Sequence, residues 1–102
     1  MRISSSPLVT VIMPVRNEGE YLQRSLKAVL SQQYPPDRME VIVSDGMSTD
    51  ATREIVATLA SDRPFPVTLL ANPGRITSTG LNQALRRARG EIIIRVDGHT
   101  IV

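Results

Sequence analysis

Four short apolar runs recur along the chain, and the three segments between them carry the apolar spacing of a helix. The runs are Leu8–Val15 (LVTVIMPV), Met39–Ser44 (MEVIVS), Val67–Ala71 (VTLLA) and Ile92–Val96 (IIIRV). Runs of this length, rich in β-branched residues and nearly continuous, mark strands, the first and the fourth of them buried. Between them, Leu22, Leu26, Val29 and Leu30 form one helical stripe. Ile55, Val56 and Leu59 form a second, and Leu81, Ala84, Leu85 and Ala88 a third. Strand–helix alternation three times over, ending on a strand, predicts an α/β fold. That fold is an open, Rossmann-like parallel sheet with right-handed crossovers and helices on both faces. The expectation is a single domain over residues 1–102, with Met1 to Ser6 as a lead-in. Aromatic residues are only 3% of the chain, so its core must be aliphatic.

In such a sheet the loops leaving the carboxyl ends of the strands collect at one edge, where ligands bind. After the first run, Pro14 is expected to end the hydrogen bonding, and Arg16-Asn17-Glu18-Gly19-Glu20 follows. Asn17 with Glu20 three residues on fits a capping box. After the second run, Ser48, Thr49 and Asp50 of Asp45-Gly46-Met47-Ser48-Thr49-Asp50 are good helix caps. The third run leads into Asn72-Pro73-Gly74-Arg75, with Thr77 or Ser78 as the next cap and Gly90 just past that helix. The fourth reads as a fully buried strand that delivers Asp97, with Gly98 and His99 beyond it, to the same edge. An aspartate one small residue from an imidazole is placed to hold a metal or a sugar hydroxyl. Arg95, alone among the apolar residues of its strand, either pairs with a carboxylate or reaches a phosphate.

Several function classes are excluded or disfavoured. Without cysteine there is neither disulfide nor thiolate chemistry, which suits a reducing cytoplasm. No apolar run approaches the ~18–20 residues of a membrane span. The N-terminal run contains a proline and continues into a strand, which argues against a signal peptide. The net charge is only +2. Arg75, Arg86, Arg87, Arg89 and Arg95 gather late, but without interleaved aromatics to stack on bases, so nucleic acid is not an expected partner. Arg86, Arg87 and Arg89 read as the solvated face of the third helix.

The first loop separates the remaining α/β machines. A dinucleotide fold needs a glycine-rich turn there, and PVRNEGE has a single glycine. A phosphate-binding loop ending in Gly-Lys-Ser or Gly-Lys-Thr does not occur. A phospho-accepting receiver would suit Asp45, but the acidic pair after the first strand and the later lysine are missing. What remains is a nucleotide site built from acidic and amide side chains on separate loops.

VTVIMPVRNEGEYLQRSLKAVLSQQYP, EVIVSDGMSTDAT and GLNQALRRARGEIIIRVDGH occur in that order. Together they resemble the N-terminal half of family-2 glycosyltransferases, which adopt the GT-A fold. The resemblance runs from about Leu8 to His99. Its nearest flavour is that of bacterial exopolysaccharide (succinoglycan-type) enzymes carrying DGMSTD and VDGH or VDAH in these places.

The resemblance implies the following roles. Pro14, Asn17 and Glu18, with Arg16 among them, occupy the P-x-x-N-E loop beside the nucleotide base and ribose. Asp45 matches the first aspartate of the D-D-G-S-T-D stretch, and Gly46 stands where many members place a second aspartate against uracil. Base recognition then falls to Asp45 or to backbone groups. Asn82 sits where the family's A-R-N-A-G helix carries its asparagine, with Leu81 in place of the arginine. Asp97 and His99 occupy the D-x-D metal motif. The implied cofactor is a divalent cation, Mn²⁺ or Mg²⁺, with the histidine tilting the choice to Mn²⁺. Such an ion steadies the charge that grows on a diphosphate leaving group.

The expected activity is that of an inverting hexosyltransferase using a nucleotide-diphosphate sugar, in the first instance a UDP sugar. The acceptor would be a polysaccharide or lipid-linked saccharide, at the cytoplasmic face of the inner membrane. The family's catalytic base lies beyond the D-x-D motif, so none is assigned before Val102. The chain is expected to be the donor-binding half of a longer enzyme, inactive alone and prone to dimerise through the edge of its fourth strand. The alternatives are a non-catalytic nucleotide-binding module and a structural α/β module.

Overall fold

The computed structural model describes residues 7–31, 34–61 and 66–97. Its elements alternate along the chain as β1 (Val9–Val15), α1 (Gly19–Leu30), β2 (Met39–Asp45), α2 (Thr52–Ala60), β3 (Val67–Ala71), α3 (Thr77–Arg87) and β4 (Ile92–Arg95). A short 3₁₀ turn at Pro36–Arg38 leads into β2. The strands form one parallel sheet in the order β3-β2-β1-β4, the Rossmann-like arrangement expected from the sequence.

The period-2 alternation of the central strands sorts the core into two layers. Val9, Val11, Met13 and Val15 of β1 pack with Leu22, Leu26, Val29 and Leu30 of α1 and Val56 of α2. Ile12 and Ile42 point the other way, to Leu70 and to Ala84 of α3. Two helices therefore cover one face and the third covers the other. The chain steps outward from β1 to β3, then crosses back to β4 on the far side of β1. That reversal of strand order opens a crevice at the carboxyl edge.

Four local expectations are corrected. β4 is not buried: Ile92, Ile93 and Ile94 are 42–45% exposed, because β4 lies at the margin of the described sheet with β1 as its neighbour. Pro14 does not end β1, which stays in register with β2 through Val15↔Asp45. Pro14 lies past the last β1–β4 pair, Ile12↔Arg95, so its missing N–H costs no ladder bond there. Leu85 of α3 is 48% exposed rather than inward.

Gly90 is the fourth correction, since no described glycine has a positive φ. Its reason is room. A Cβ there would lie 2.5 Å from Thr10 Oγ1 and 2.6 Å from the Thr10 nitrogen. The Gly90 N–H donates to Thr10 Oγ1 at 2.8 Å, and that hydroxyl donates to Glu40 at 2.7 Å. Glu40 also accepts the Arg89 N–H at 2.7 Å. Burial alone would raise the Glu40 pKa, but the Arg89 N–H, the Thr10 hydroxyl and the Arg89 guanidinium together hold it below its ordinary value. This buried acid fastens the end of α3 to the amino edge of the sheet. Among the described residues no helix is long and apolar enough to cross a membrane.

Candidate functional site

The loops after β1, β2 and β3 each contain one non-glycine residue in the left-handed region: Asn17 (φ 51°), Met47 (φ 63°) and Arg75 (φ 67°). Asparagine tolerates this conformation, but methionine and arginine adopt it at a cost of roughly 1–2 kcal/mol. Strained residues of this kind persist where the surroundings over-determine them, and they concentrate at functional sites.

The surroundings here are a clasp between the first two loops. The N–H groups of Asn17, Glu18 and Gly19 donate to Ser48 Oγ (2.9 Å), Thr52 Oγ1 (3.2 Å) and Asp50 Oδ2 (3.3 Å). In return Asn17 Oδ1 accepts the N–H groups of Thr49 (2.7 Å) and Asp50 (3.3 Å). The start of α1 is thus capped by the loop leading to α2, and the capping box of Asn17 and Glu20 does not form. The residue preceding α1 is Glu18, with no cap bond from its own side chain. Asp50 also accepts the Thr52 hydroxyl and the Thr52 N–H, which hold its carboxyl below the usual range. Thr77 and Ser78 lie inside α3, whose cap position is Ile76.

Asp45 is fully buried at the end of β2. Its carboxylate accepts the Ser48 hydroxyl and the Ser48 N–H (3.2 Å), and Arg53 Nε lies 3.6 Å away. All three partners lie on the segment that follows it, so the acid anchors the DGMSTD loop from below. Gly46 beside it meets the first loop: a Cβ there would come within 3.3 Å of Arg16 Cβ and Cδ, and 3.0 Å of the Arg75 carbonyl oxygen.

A recess of about 50 Å³ opens at this edge, lined by Pro14, Val15, Arg16, Glu18, Ser44, Asn72, Arg75, Ile76 and Thr77. It brings together Pro14, Arg16 and Glu18 of the expected donor loop, while Asn17 works behind them in the clasp. Asn82 lies on an exposed stretch of α3 and is not among the lining residues. Ser44, Asn72, Arg75 and Thr77 also line the recess, although the sequence named none of them as a site residue. Buried Asn72 organises their loop, donating its N–H to the Asp45 carbonyl (2.7 Å) and Nδ2 to the Ile76 carbonyl (3.0 Å). Its carbonyl accepts the Arg75 N–H at 3.1 Å, which fixes the turn holding Arg75. The signal available in the sequence was position: a loop after a parallel strand belongs to the binding edge.

Asp97 follows β4 half-exposed, and Arg95 donates Nε (3.1 Å) and Nη2 (2.9 Å) to its Oδ1. Of the two roles open to Arg95, the structure shows the carboxylate pair. His99, the second expected metal ligand, lies outside the described residues, as do Gly98 and Met1 to Ser6. Among the described residues no group of three or more histidine, cysteine or acidic side chains gathers as a metal site. Asp97 alone does not make one.

A Rossmann-like parallel sheet with a polar recess at its carboxyl edge defines an α/β protein whose loops are placed to bind a ligand there. The Glycosyl transferase family 2 domain matches residues 10–102, and the chain belongs to that family. It is 35% identical to the succinoglycan biosynthesis protein ExoA of Rhizobium meliloti over 91 residues, which are 87% of this chain and 27% of ExoA. The mannosyltransferase PcManGT of Pyrobaculum calidifontis, solved with GDP-Man and Mn²⁺, superposes with a TM-score of 0.87 at 37% identity. That match covers 94% of this chain and 28% of PcManGT. Staphylococcus aureus TarS 1-349, solved with UDP-GlcNAc, gives a TM-score of 0.76 at 32% identity, over 90% of this chain and 26% of that one. The chain thus spans just over a quarter of the length of these glycosyltransferases, and its sheet is the corresponding part of a GT-A fold.

Proposed function

We propose that this chain is the donor-binding part of an inverting glycosyltransferase that takes a nucleotide-diphosphate sugar, a UDP sugar in the first instance. The observation that carries the reading is the meeting of the loops after β1 and β3, each with a left-handed residue, around the recess of Pro14, Arg16, Glu18 and Arg75 at the carboxyl edge. The complexes of PcManGT with GDP-Man and of TarS with UDP-GlcNAc support a nucleotide-sugar donor. A carboxylate such as Glu18 suits ribose hydroxyls, which donate to ionised acids.

A divalent cation belongs to the same proposal, supported by the Mn²⁺ in the PcManGT complex. Asp97 would supply one oxygen ligand and His99 the second group, with Mn²⁺ the better match to an imidazole. When bound, the ion would stabilise the leaving diphosphate. The acceptor is proposed to be a growing polysaccharide or a lipid-linked saccharide at the cytoplasmic membrane face. The exposed β4 margin would pair two copies of this chain in solution.

Calorimetric titration of UDP and GDP, with and without Mn²⁺, tests the reading on the wild-type chain and on Asp97→Ala. The expected result is metal-dependent binding of UDP that Asp97→Ala abolishes. Binding that ignores both the metal and the substitution would leave the nucleotide site and remove the Asp97–His99 assignment. A folded chain that binds neither nucleotide would be the structural module instead.

A further inference from the structure

Arg95 is the only charged side chain in the run Ile92–Val96. Residues two apart on a strand share a face, so Arg95 and Asp97 meet where the β1–β4 ladder ends at Ile12↔Arg95. Between them the Val96 N–H donates to the Ile12 carbonyl at 2.9 Å and fixes the backbone. At 2.9 Å the Arg95–Asp97 contact is the shortest ion pair among the described residues. Its side chains are 49% and 38% exposed, and a pair that open contributes little to stability. The fold does not need it.

The form of the pair is the second observation. Arg95 Nε and Nη2 both donate to Oδ1, at 3.1 and 2.9 Å, instead of spreading over the two carboxylate oxygens as a guanidinium fork can. An internal cation thus already stands at the carboxylate on which the metal role rests, so Asp97 is placed to accept a cation. The same guanidinium opposes a second one. To yield Oδ1 to a divalent ion, Arg95 must give up both bonds. If the ion takes Oδ2 instead, Arg95 shares one carboxylate with it, and like charges that close repel. An ion that arrives with a diphosphate brings negative charge along and meets less of that opposition.

We infer that Arg95 is an internal counter-ion that keeps free divalent cations off Asp97, so that the site favours a metal–nucleotide complex over the bare metal. The inference rests on the proposed metal role of Asp97. Arg95 holds the carboxylate until a ligand that carries its own counter-charge reaches the carboxyl edge.

Arg95→Met keeps an apolar stem and removes the charge. Titrated with Mn²⁺ and followed by electron paramagnetic resonance of the free ion, this variant should bind roughly fivefold more tightly than the wild type, the scale of one exposed ion pair. With saturating UDP present the gain should shrink. Arg95→Lys keeps the charge and should bind Mn²⁺ like the wild type. On an Asp97→Ala background, Arg95→Met should change nothing. Thermal midpoints of the single variants should barely move, since position 95 is half-exposed. Weaker Mn²⁺ binding by Arg95→Met would make the arginine a support for the carboxylate and overturn the inference. Unchanged binding, or a gain equally large with UDP, would overturn it and leave the metal role of Asp97 standing. A gain that survives Asp97→Ala would place the ion elsewhere and remove both. Folded wild-type and Arg95→Met chains that bind no Mn²⁺, with or without UDP, would also remove both.

Discussion

Asn17 shows how one side chain can look like a cap and be a clasp. Its spacing to Glu20 fits a capping box, yet its φ of 51° turns the chain so that Oδ1 faces the second loop. There it accepts two backbone N–H groups that no local sequence pattern could assign to it. Replacing Asn17 by alanine removes both bonds and puts a β-carbon in a left-handed residue, so it should cost about 2–3 kcal/mol. Asn17→Gly keeps the backbone comfortable and loses only the bonds, about 1–2 kcal/mol. Urea denaturation of both variants measures the difference, and equal losses would show that the left-handed turn carries no strain. Asp45 was legible as a strand-end acid at the binding edge. Its burial against Ser48 and Arg53 was not, because both partners are set by how the following loop folds back.

At the scale of elements, β4 is where pattern and packing part. Three consecutive isoleucines read as a strand buried on both faces, and the strand does form, paired to β1 from Val9↔Ile92 to Ile12↔Arg95. Burial depends on what stands next to it, and in the described sheet β4 has β1 on one side only. Ile93→Lys should therefore change stability by no more than about 0.5 kcal/mol, as at other exposed positions. The same change should lower self-association in sedimentation equilibrium, since a lysine on an edge strand opposes pairing. A loss of several kcal/mol would mean that Ile93 is covered in solution. The helices were legible through their stripes, but not their ends. α1 starts at a trans cap, and α3 finishes where Gly90 must pass Thr10.

For the molecule as a whole, Glu40 links stability to pH. Its folded-state pKa lies below its ordinary value, so its ionised form stabilises the fold above that value, about pH 4.5. This contribution is lost as the pH falls through the lower, folded-state pKa. Unfolding midpoints should drop along that descent. Glu40→Gln should cost about 1–2 kcal/mol at neutral pH through its weaker hydrogen bonds to Thr10 and Arg89, and should flatten the acid limb. A variant whose acid limb matches the wild type would place the titrating group elsewhere, with Asp50, also held low, as the next carboxylate to test.

By itself the sequence determined the order and type of the elements, the parallel sheet, and the edge at which the loops gather. These follow from short-range periodicity and from the handedness of strand–helix–strand connections, which act wherever the pattern occurs. Pro14, Arg16 and Glu18 could be named because their loop resembles the family's P-x-x-N-E loop, and the fold sets them around the recess at that edge. Only the tertiary structure decided which polar groups satisfy one another across loops: Asn17 with Thr49, Asp50 with Gly19, Asn72 with Asp45. It alone set Arg75 in a strained turn beside Gly46. Hydrogen bonds and close approaches between residues some thirty positions apart depend on the packed distance between loops, and no local pattern encodes that distance.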